Sequence, residues 1–398
     1  MTAARAPDVV IAGAGPAGAV AAVLLARAGV RVLVVDRARF PRDKLCGDTL
    51  NPGTLATLRR LGLDPAPLEA AGLRIDGMVV TGDAGVRVEG AYPAPLHGRA
   101  ITRRHVDTWL VAQARAAGAW VEEGVAVHRP LIDPDGDRPR VRGLVVTTSG
   151  GERIVRAPVT LAADGRRSAL AFGLGLARHP AAPRRWAVGG YFEGVEGLSA
   201  FGEMHVRRRH YLGIAPLPGG LANVCAVAAP GAGAPFDDLF GAPSRLLQTA
   251  LTTDLAVAPR FARARLVAPP VVLGPLAVER AGEPLDGLLL AGDAAGFVDP
   301  MTGDGLHFAV RGAELAAQAA LDALEHGWDG VHRRLARQQA QVLESKRRFN
   351  RTLRALVASP AAVQAAAWGA TLAPSLLRRI ICVAGDVGAG ARSGANGV

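Results

Sequence analysis

The stretch DVVIAGAGPAGAVAAVLLARAGVRVLVVD, Asp8 to Asp36, decides the fold. Asp8 to Ala12 is a short apolar run of the kind that forms a buried strand. Pro16 to Ala28 is rich in alanine and predicts a helix, which Gly29 stops. Arg31 to Val35 is a second, β-branched strand that ends at Asp36. Strand, helix and strand in that order make a βαβ unit on a parallel sheet. Its turn carries Gly13-x-Gly15-x-x-Gly18. The first glycine permits a tight turn. The second lets a pyrophosphate approach the backbone just ahead of Pro16 and Ala17, where the helix N-terminus favours negative charge. The third lets helix and strand pack closely. Asp36, followed by Arg37, lies where a carboxylate takes ribose hydroxyls. The unit reads as a dinucleotide-binding one; the bland alternative is an α/β domain with an accidental glycine turn. At this point NAD and FAD are not separated.

Outward from this unit, Thr54 to Leu61 predicts a short helix and MVVTGDAGVRVEG, from Met78, a hairpin. Arg104 to Ala119 is helical, and Trp120 to Val127 returns to a strand. RVRGLVVTTSGGERIVRAPVTLAADG reads as a β-meander leading to a strand that ends at Asp164. From Trp186 to Val272 the pattern is mainly strand. YLGIAPL and LANVCAVAA flank Pro-Gly-Gly as a hairpin, and a helix interrupts near Pro243 to Thr253. LDGLLLAGDAAG is a buried strand followed by a glycine turn, and beyond Gly305 the chain is mostly helical. The expected fold is α/β. A discontinuous Rossmann-like domain is built from 1–72, 101–183 and 275–320. A mainly antiparallel substrate domain is inserted from 73–100 and 184–274, and a helical region spans 321–398.

Composition narrows the partners. The chain has 398 residues and a formal charge of +11, but its arginines are scattered. The clusters Arg207-Arg208-Arg209 and Arg378-Arg379 are short and lack interleaved aromatics, so no nucleic-acid surface is expected. Attraction to anionic substrates or cofactor phosphates remains open. Cys46, Cys225 and Cys382 are odd in number and far apart, with no metal-ligand spacing. This predicts no disulfide framework, no metal and a reducing, cytoplasmic compartment of a bacterium with a GC-rich genome. Ala355 to Leu377 carries no charge and is long enough to span a bilayer. Its alanines, Ser359, Pro360, Gln364 and Pro374 favour helices packed on the body or lying at a surface.

Two later motifs point to FAD. LAADGRRSAL, with Asp164 and Gly165, and LLLAGDAAGFVDPMTGDGL, with Gly292 and Asp293, resemble the DG and GD motifs of FAD-dependent oxidoreductases of the glutathione-reductase-like superfamily. The branch is that of aromatic hydroxylases, geranylgeranyl reductases and flavin-dependent halogenases. FPRDKLCGDTLNP, from Phe40, looks most like the corresponding loop of geranylgeranyl reductases. RAITRRHVDTWLVAQARAAGAWVEEGVAV also matches the branch. The resemblance implies that Arg103 contacts FAD, that Val127 borders the adenine, and that Asp293 takes the ribityl chain. It also implies that Pro300, Gly303, Gly305 and Leu306 bring a helix N-terminus to the flavin, where backbone N–H groups stabilise negative charge. Ala171 stands where the hydroxylases place an arginine linked to NAD(P)H binding.

The same resemblance puts Arg42, Lys44, Cys46 and Gly47 beside the flavin ring. Arg42 is expected to meet phosphate or ribityl groups. Cys46 is a candidate proton donor, its thiol activated by the Lys44 ammonium; the alternative is a small residue packed under the ring beside a solvated lysine. On the substrate side, halogenases of the branch carry W-x-W-x-I-P, where this chain has Tyr211-Leu-Gly213-Ile-Ala-Pro216. Archaeal geranylgeranyl reductases carry a similar Y-x-W-x-F-P, so the lost bulk argues against halogenation, weakens the case for a polyprenyl reductase proper, and predicts a wider, differently shaped cavity. The expected function is FAD-dependent oxidation–reduction of a hydrophobic small molecule, reduced by NAD(P)H or another transient donor. Oxygen insertion is slightly preferred, with reduction of C=C bonds as the alternative. An electron-transfer flavoprotein, and contact with a membrane surface or a carrier protein, stay open.

Overall fold

The computed structural model describes residues 6–82, 87–133, 139–182, 184–233, 235–238, 240–297, 303–357, 382–383 and 385–386. At its centre is a five-stranded parallel sheet in the order Leu288–Leu290, Val159–Ala162, Val9–Ala12, Val32–Asp36, Trp120–Glu123. The strands Val9–Ala12 and Val159–Ala162 are buried at every position. They are covered on both faces, which is why they read as unbroken apolar runs rather than alternating ones. One face packs against the helices Pro16–Arg27, Arg103–Ala116 and Gly305–His326. The other packs against a three-stranded antiparallel sheet, Ala126–Asp133, Arg140–Thr148 and Gly151–Arg156.

The single strand expected from Trp120 to Val127 is two strands. Gly124 adopts φ 74° and turns the chain out of the parallel sheet, so that Ala126–Asp133 pairs with the antiparallel layer instead. Only glycine takes that backbone region without a steric penalty.

A larger sheet has the order Arg265–Leu266, Trp186–Glu193, Leu221–Ala228, His210–Leu217, Phe201–Val206, Gly77–Thr81, Arg87–Ala91, with Val271–Leu273 also on Trp186–Glu193. The hairpin through Pro218–Gly220 and the one from Gly77–Thr81 to Arg87–Ala91 form as their turn residues predict. One pairing has no local signature. Phe201–Val206 runs parallel to Gly77–Thr81, joining two distant stretches of chain in one sheet. The outer face of this sheet, with Val188, Leu212, Ile214 and Val224, packs on the helices Pro243–Thr253 and Ala258–Phe261. The inner face carries Ala187, Met204, Tyr211 and Val227, packed with Leu276 and Phe297.

A small sheet of Thr49–Leu50, Gly98–Ala100 and Leu73–Ile75 anchors the far end of the Phe40–Gly53 loop. The helix Val331–Val357 follows Gly305–His326. Near the end of the chain, Gly53 N donates to Gly385 O at 2.9 Å. No helix among the described residues is long and apolar enough to cross a membrane. Residues 358–377 of the uncharged segment lie outside the described residues.

Candidate active site

The carboxyl ends of the parallel strands bring the glycine loop, Asp36, Asp164-Gly165 and Gly292-Asp293 to one edge, the edge where such sheets bind ligands. The glycine loop fits a dinucleotide by sterics alone. Gly13 has φ 97°, and a Cβ there would lie 2.6 Å from Ala163 O. A Cβ at Gly18 would lie 1.8 Å from Gly13 O, so strand and helix can touch only through glycine. At Gly15 a Cβ would meet nothing nearer than the Arg42 guanidinium at 3.9 Å, so this face is open to a ligand. Pro16 and Ala17 are buried at the helix start, and Gly292, at φ 59°, comes so close that a Cβ would lie 2.8 Å from Ala17 Cβ. Asp36 is tied to the loop: Oδ2 accepts from Ala14 N and Oδ1 from Ala38 N, both at 2.8 Å. Arg37 is exposed, and Val127 is half-buried on the neighbouring antiparallel strand.

The two aspartates expected at the cofactor differ. Asp164 Oδ2 accepts from Ala169 N at 2.9 Å, while Oδ1 is buried without a hydrogen bond among the described residues. Gly165 turns the chain at φ 87°. Burial pushes the Asp293 carboxyl up, and the cations of Lys44, Arg103 and Arg166 pull it the other way. Arg166 Nε is likewise buried without a hydrogen bond among the described residues. A polar ligand along this edge would complete both. Gly303, at φ 74°, stands against Thr49 Oγ1; Gly305 opens the following helix, and Leu306 is buried beneath it. Pro300 lies outside the described residues.

The Phe40–Gly53 loop crosses the front of this edge. Asp107 is fully buried and organises two arginines. Arg103 donates to its two oxygens from Nε and Nη2, both at 2.8 Å, and Arg42 Nη2 lies 2.9 Å from Oδ2. The Arg42 guanidinium sits 5.0 Å from the centre of the Phe40 ring. Burial works to lower the Arg103 pKa, but Asp107 and the Cys46 sulfur outweigh it, so Arg103 holds its charge more firmly than usual. Cys46 is among the groups that raise the Arg103 pKa, so the two side chains lie near each other. Lys44 shares its field with Arg103, Asp293, Arg42 and Asp107. Crowding by protein, with Arg103 next in effect, draws the Lys44 pKa down to about 8, although solvent still reaches the side chain from the cleft and works against that shift.

Asp48 ties the loop to the large sheet. It is completely buried with φ 49°, a backbone region costly for a residue other than glycine. Its Oδ2 accepts from Tyr191 Oη at 2.8 Å and Asn223 Nδ2 at 2.7 Å, and Oδ1 accepts from Arg103 N at 3.1 Å. Asn223 Nδ2 also donates to Cys46 O at 2.7 Å. Burial raises the Asp48 pKa to about 6 against these hydrogen bonds and the Arg103 charge. Burial and the facing Asp48 raise that of Tyr191. Gly47 is exposed in the loop, and Cys46 is half-exposed.

The sheet is cut to receive the loop. A Cβ at Gly189 would lie 2.6 Å from Cys225 Sγ and 2.9 Å from Leu45 Cδ2. Beside it Gly213, paired with Cys225, would hold a Cβ with nothing within 4 Å, so space opens here. Tyr211 is buried in the apolar cluster. Sequence reasoning did not single out Asp48, Asp107, Tyr191 or Asn223. Asp107 had a signal, since a buried arginine four residues away on a helix pairs with an acid at that spacing. Tyr191 and Asn223 had none, because their partners are 143 and 175 positions away.

Residues 6–229 match the family model of the FAD binding domain. The menaquinone reductase of Mycobacterium tuberculosis is 33% identical over 331 residues, covering 78% of this chain and 76% of that protein. Digeranylgeranylglycerophospholipid reductase 2 of Methanopyrus kandleri is 32% identical over 325 residues, covering 80% and 78%. Among solved structures, a flavin-dependent brominase superposes with a TM-score of 0.81 at 20% identity, covering 96% of this chain and 94% of that one, a likeness of fold. With its dinucleotide loop, its two aspartate turns and these relatives, the chain belongs to the FAD-binding domain family and is an FAD-dependent oxidoreductase.

Proposed function

We propose that the protein reduces a carbon–carbon double bond in a hydrophobic, isoprenoid-type small molecule. The observation that carries this reading is the placement of the Cys46 thiol. The Cys46 carbonyl accepts from Asn223, its side chain lies near enough to Arg103 to raise that residue's pKa, and it belongs to the loop that packs against the sheet beside Gly213. The names of the relatives, a menaquinone reductase and a digeranylgeranylglycerophospholipid reductase, support the substrate class.

The cofactor would be held by the glycine loop and Asp36 at one end and by Asp164, Asp293 and the Gly303–Gly305 helix start at the other. Bound there, the flavin supplies the two electrons and one hydrogen of the reduction, having taken them from NAD(P)H or another donor. The second hydrogen is a proton, and we assign its donation to Cys46 Sγ. The S–H bond breaks as a C–H bond forms, Arg103 stabilises the thiolate left behind, and solvent returns the proton. The space at Gly213, where a Cβ would meet nothing within 4 Å, is where we place the isoprenoid chain.

The test uses FAD-loaded protein reduced without oxygen, mixed with menaquinone or a geranylgeranyl lipid. Expected is substrate-dependent oxidation of the flavin and a product two mass units heavier. Cys46→Ser should keep its FAD and slow this step roughly 10²-fold, the scale of lost general-acid catalysis. A product bearing one added oxygen, formed only in air and at a near-parental rate by the variant, would replace this reading with oxygen insertion.

A further inference from the structure

The Arg207-Arg208-Arg209 run has no part in the site above, and the fold gives it a place. It borders a cavity of about 1160 Å³ on the outer face of the large sheet. Glu203 and His205 line it from the strand Phe201–Val206, and Glu203 lies level with Ile214, which points to the helix-covered side. Met204, between them, points to the opposite face with Tyr211. The cavity is therefore separated from Cys46 and Asp48 by the thickness of the sheet.

Its charge is lopsided in a specific way. Five arginines, Arg87, Arg207, Arg208, Arg209 and Arg260, and two carboxylates, Glu203 and Asp254, line it, Arg87 being paired with Glu89 at 2.8 Å. Both carboxylates are already neutralised. Glu203 accepts from Arg260 at 2.5 and 2.8 Å and lies 3.0 Å from His205 Nε2, whose Nδ1 lies 2.8 Å from Thr81 Oγ1. Asp254 is held by Arg207 at 2.7 and 2.9 Å. This buried network fixes the wall and uses two of the arginines. Arg208 and Arg209 are exposed at the rim with no carboxylate partner among the described residues; Arg209 donates only to Ala232 O at 3.1 Å. Val79, Phe236 and Ala250 lie beneath the cavity almost wholly buried, and Leu255 stands almost wholly exposed at its edge.

We propose that this cavity is a second binding site, specific for a phosphate-bearing anion, with Arg208 and Arg209 taking the phosphate oxygens. Guanidinium groups match phosphate in charge and in paired hydrogen-bond geometry. The neutralised wall removes the repulsion that free carboxylates would exert, and the exposed Leu255 side chain offers an apolar contact to a hydrocarbon or ring attached to the phosphate. The phosphate can be that of a soluble ligand or of a lipid headgroup.

The experiment uses full-length, FAD-loaded protein, so that the dinucleotide loop is filled. Inorganic pyrophosphate is titrated by calorimetry at low ionic strength, and co-sedimentation is measured with vesicles of phosphatidylglycerol and of phosphatidylcholine. The double variant Arg208→Ala, Arg209→Ala is compared with Arg333→Ala, Arg337→Ala, which removes equal charge from an exposed helix face. Saturable pyrophosphate binding, weakened roughly tenfold or more in the first variant and less than twofold in the second, supports the site and a soluble source. Sedimentation with phosphatidylglycerol alone, lost in the first variant and kept in the second, without pyrophosphate binding, supports it with a headgroup source. The proposal is overturned if neither probe binds, if both variants lose binding equally, or if the first binds like the parent.

Discussion

Asp48 concentrates the chemistry of the site in one residue. It is buried, sits in a left-handed backbone conformation, and is surrounded by donors from three parts of the chain. Burial disfavours its charge, while Tyr191, Asn223 and the Arg103 backbone favour it. The balance leaves it near 6, above the ordinary 3.8. The native state therefore binds this proton more tightly than the unfolded chain. The stability contribution of Asp48 falls as pH rises from about 4 to about 6 and is constant above that. Asn223→Ala removes a donor to the carboxylate and leaves Cys46 O without its amide. Thermal unfolding from pH 4 to 8 should show a loss of about 2 kcal/mol at pH 7. The falling limb should extend to higher pH, because the carboxylate is now less favoured. A variant with the parental melting curve across that range would mean that the amide does not hold the loop.

At the scale of elements, the βαβ unit was legible because its determinants lie within one short stretch. Apolar strands, a helix stop at Gly29 and three glycines each act on neighbours in sequence. The glycines are not equivalent, and the difference is measurable. Gly18→Ala forces a methyl group to within 1.8 Å of Gly13 O, so helix and strand must separate. This should destabilise the FAD-free protein by about 1–3 kcal/mol and abolish FAD retention. Gly15 has φ −70° and no close neighbour. Gly15→Ala should therefore leave the FAD-free melting temperature unchanged while lowering bound FAD per chain, since the methyl group occupies the ligand's side. Equal effects of the two substitutions, read by melting and flavin absorbance together, would contradict this division of labour. The strand break at Gly124 was missed for the converse reason. A glycine in a strand pattern is compatible with continuation, and the competing antiparallel partner Arg140–Thr148 decides against it.

At the scale of the whole molecule, the large sheet is locked by the Glu203–His205–Arg260 network. Glu203 is buried, and although burial alone would raise its pKa, His205 and Arg260 bring it down to about 2. For a carboxyl lowered in the native state, the stabilisation is complete above about 4.5 and drains away as pH falls toward 2. Glu203→Gln leaves a half-buried arginine without its counter-charge and should cost about 3 kcal/mol at pH 7. Urea unfolding should show that deficit shrinking steadily below pH 4.5, as the parent loses the same interaction. A deficit independent of pH would assign the loss to packing instead of charge. What the sequence determined by itself is the parallel sheet, the dinucleotide loop, the aspartate turns and the hairpins, together with the cofactor they imply. Each of these rests on periodicity, turn chemistry or sterics acting over a few neighbouring residues. What only the tertiary structure decided is which side chains meet. Cys46 comes near Arg103, Asp48 joins Tyr191 and Asn223, and the triple arginine borders a cavity. Those meetings follow from the parallel joining of Phe201–Val206 to Gly77–Thr81 and the docking of the Phe40–Gly53 loop against Gly189. Such contacts draw their energy from burial and charge between distant segments, and no residue along either segment carries a local mark of its partner.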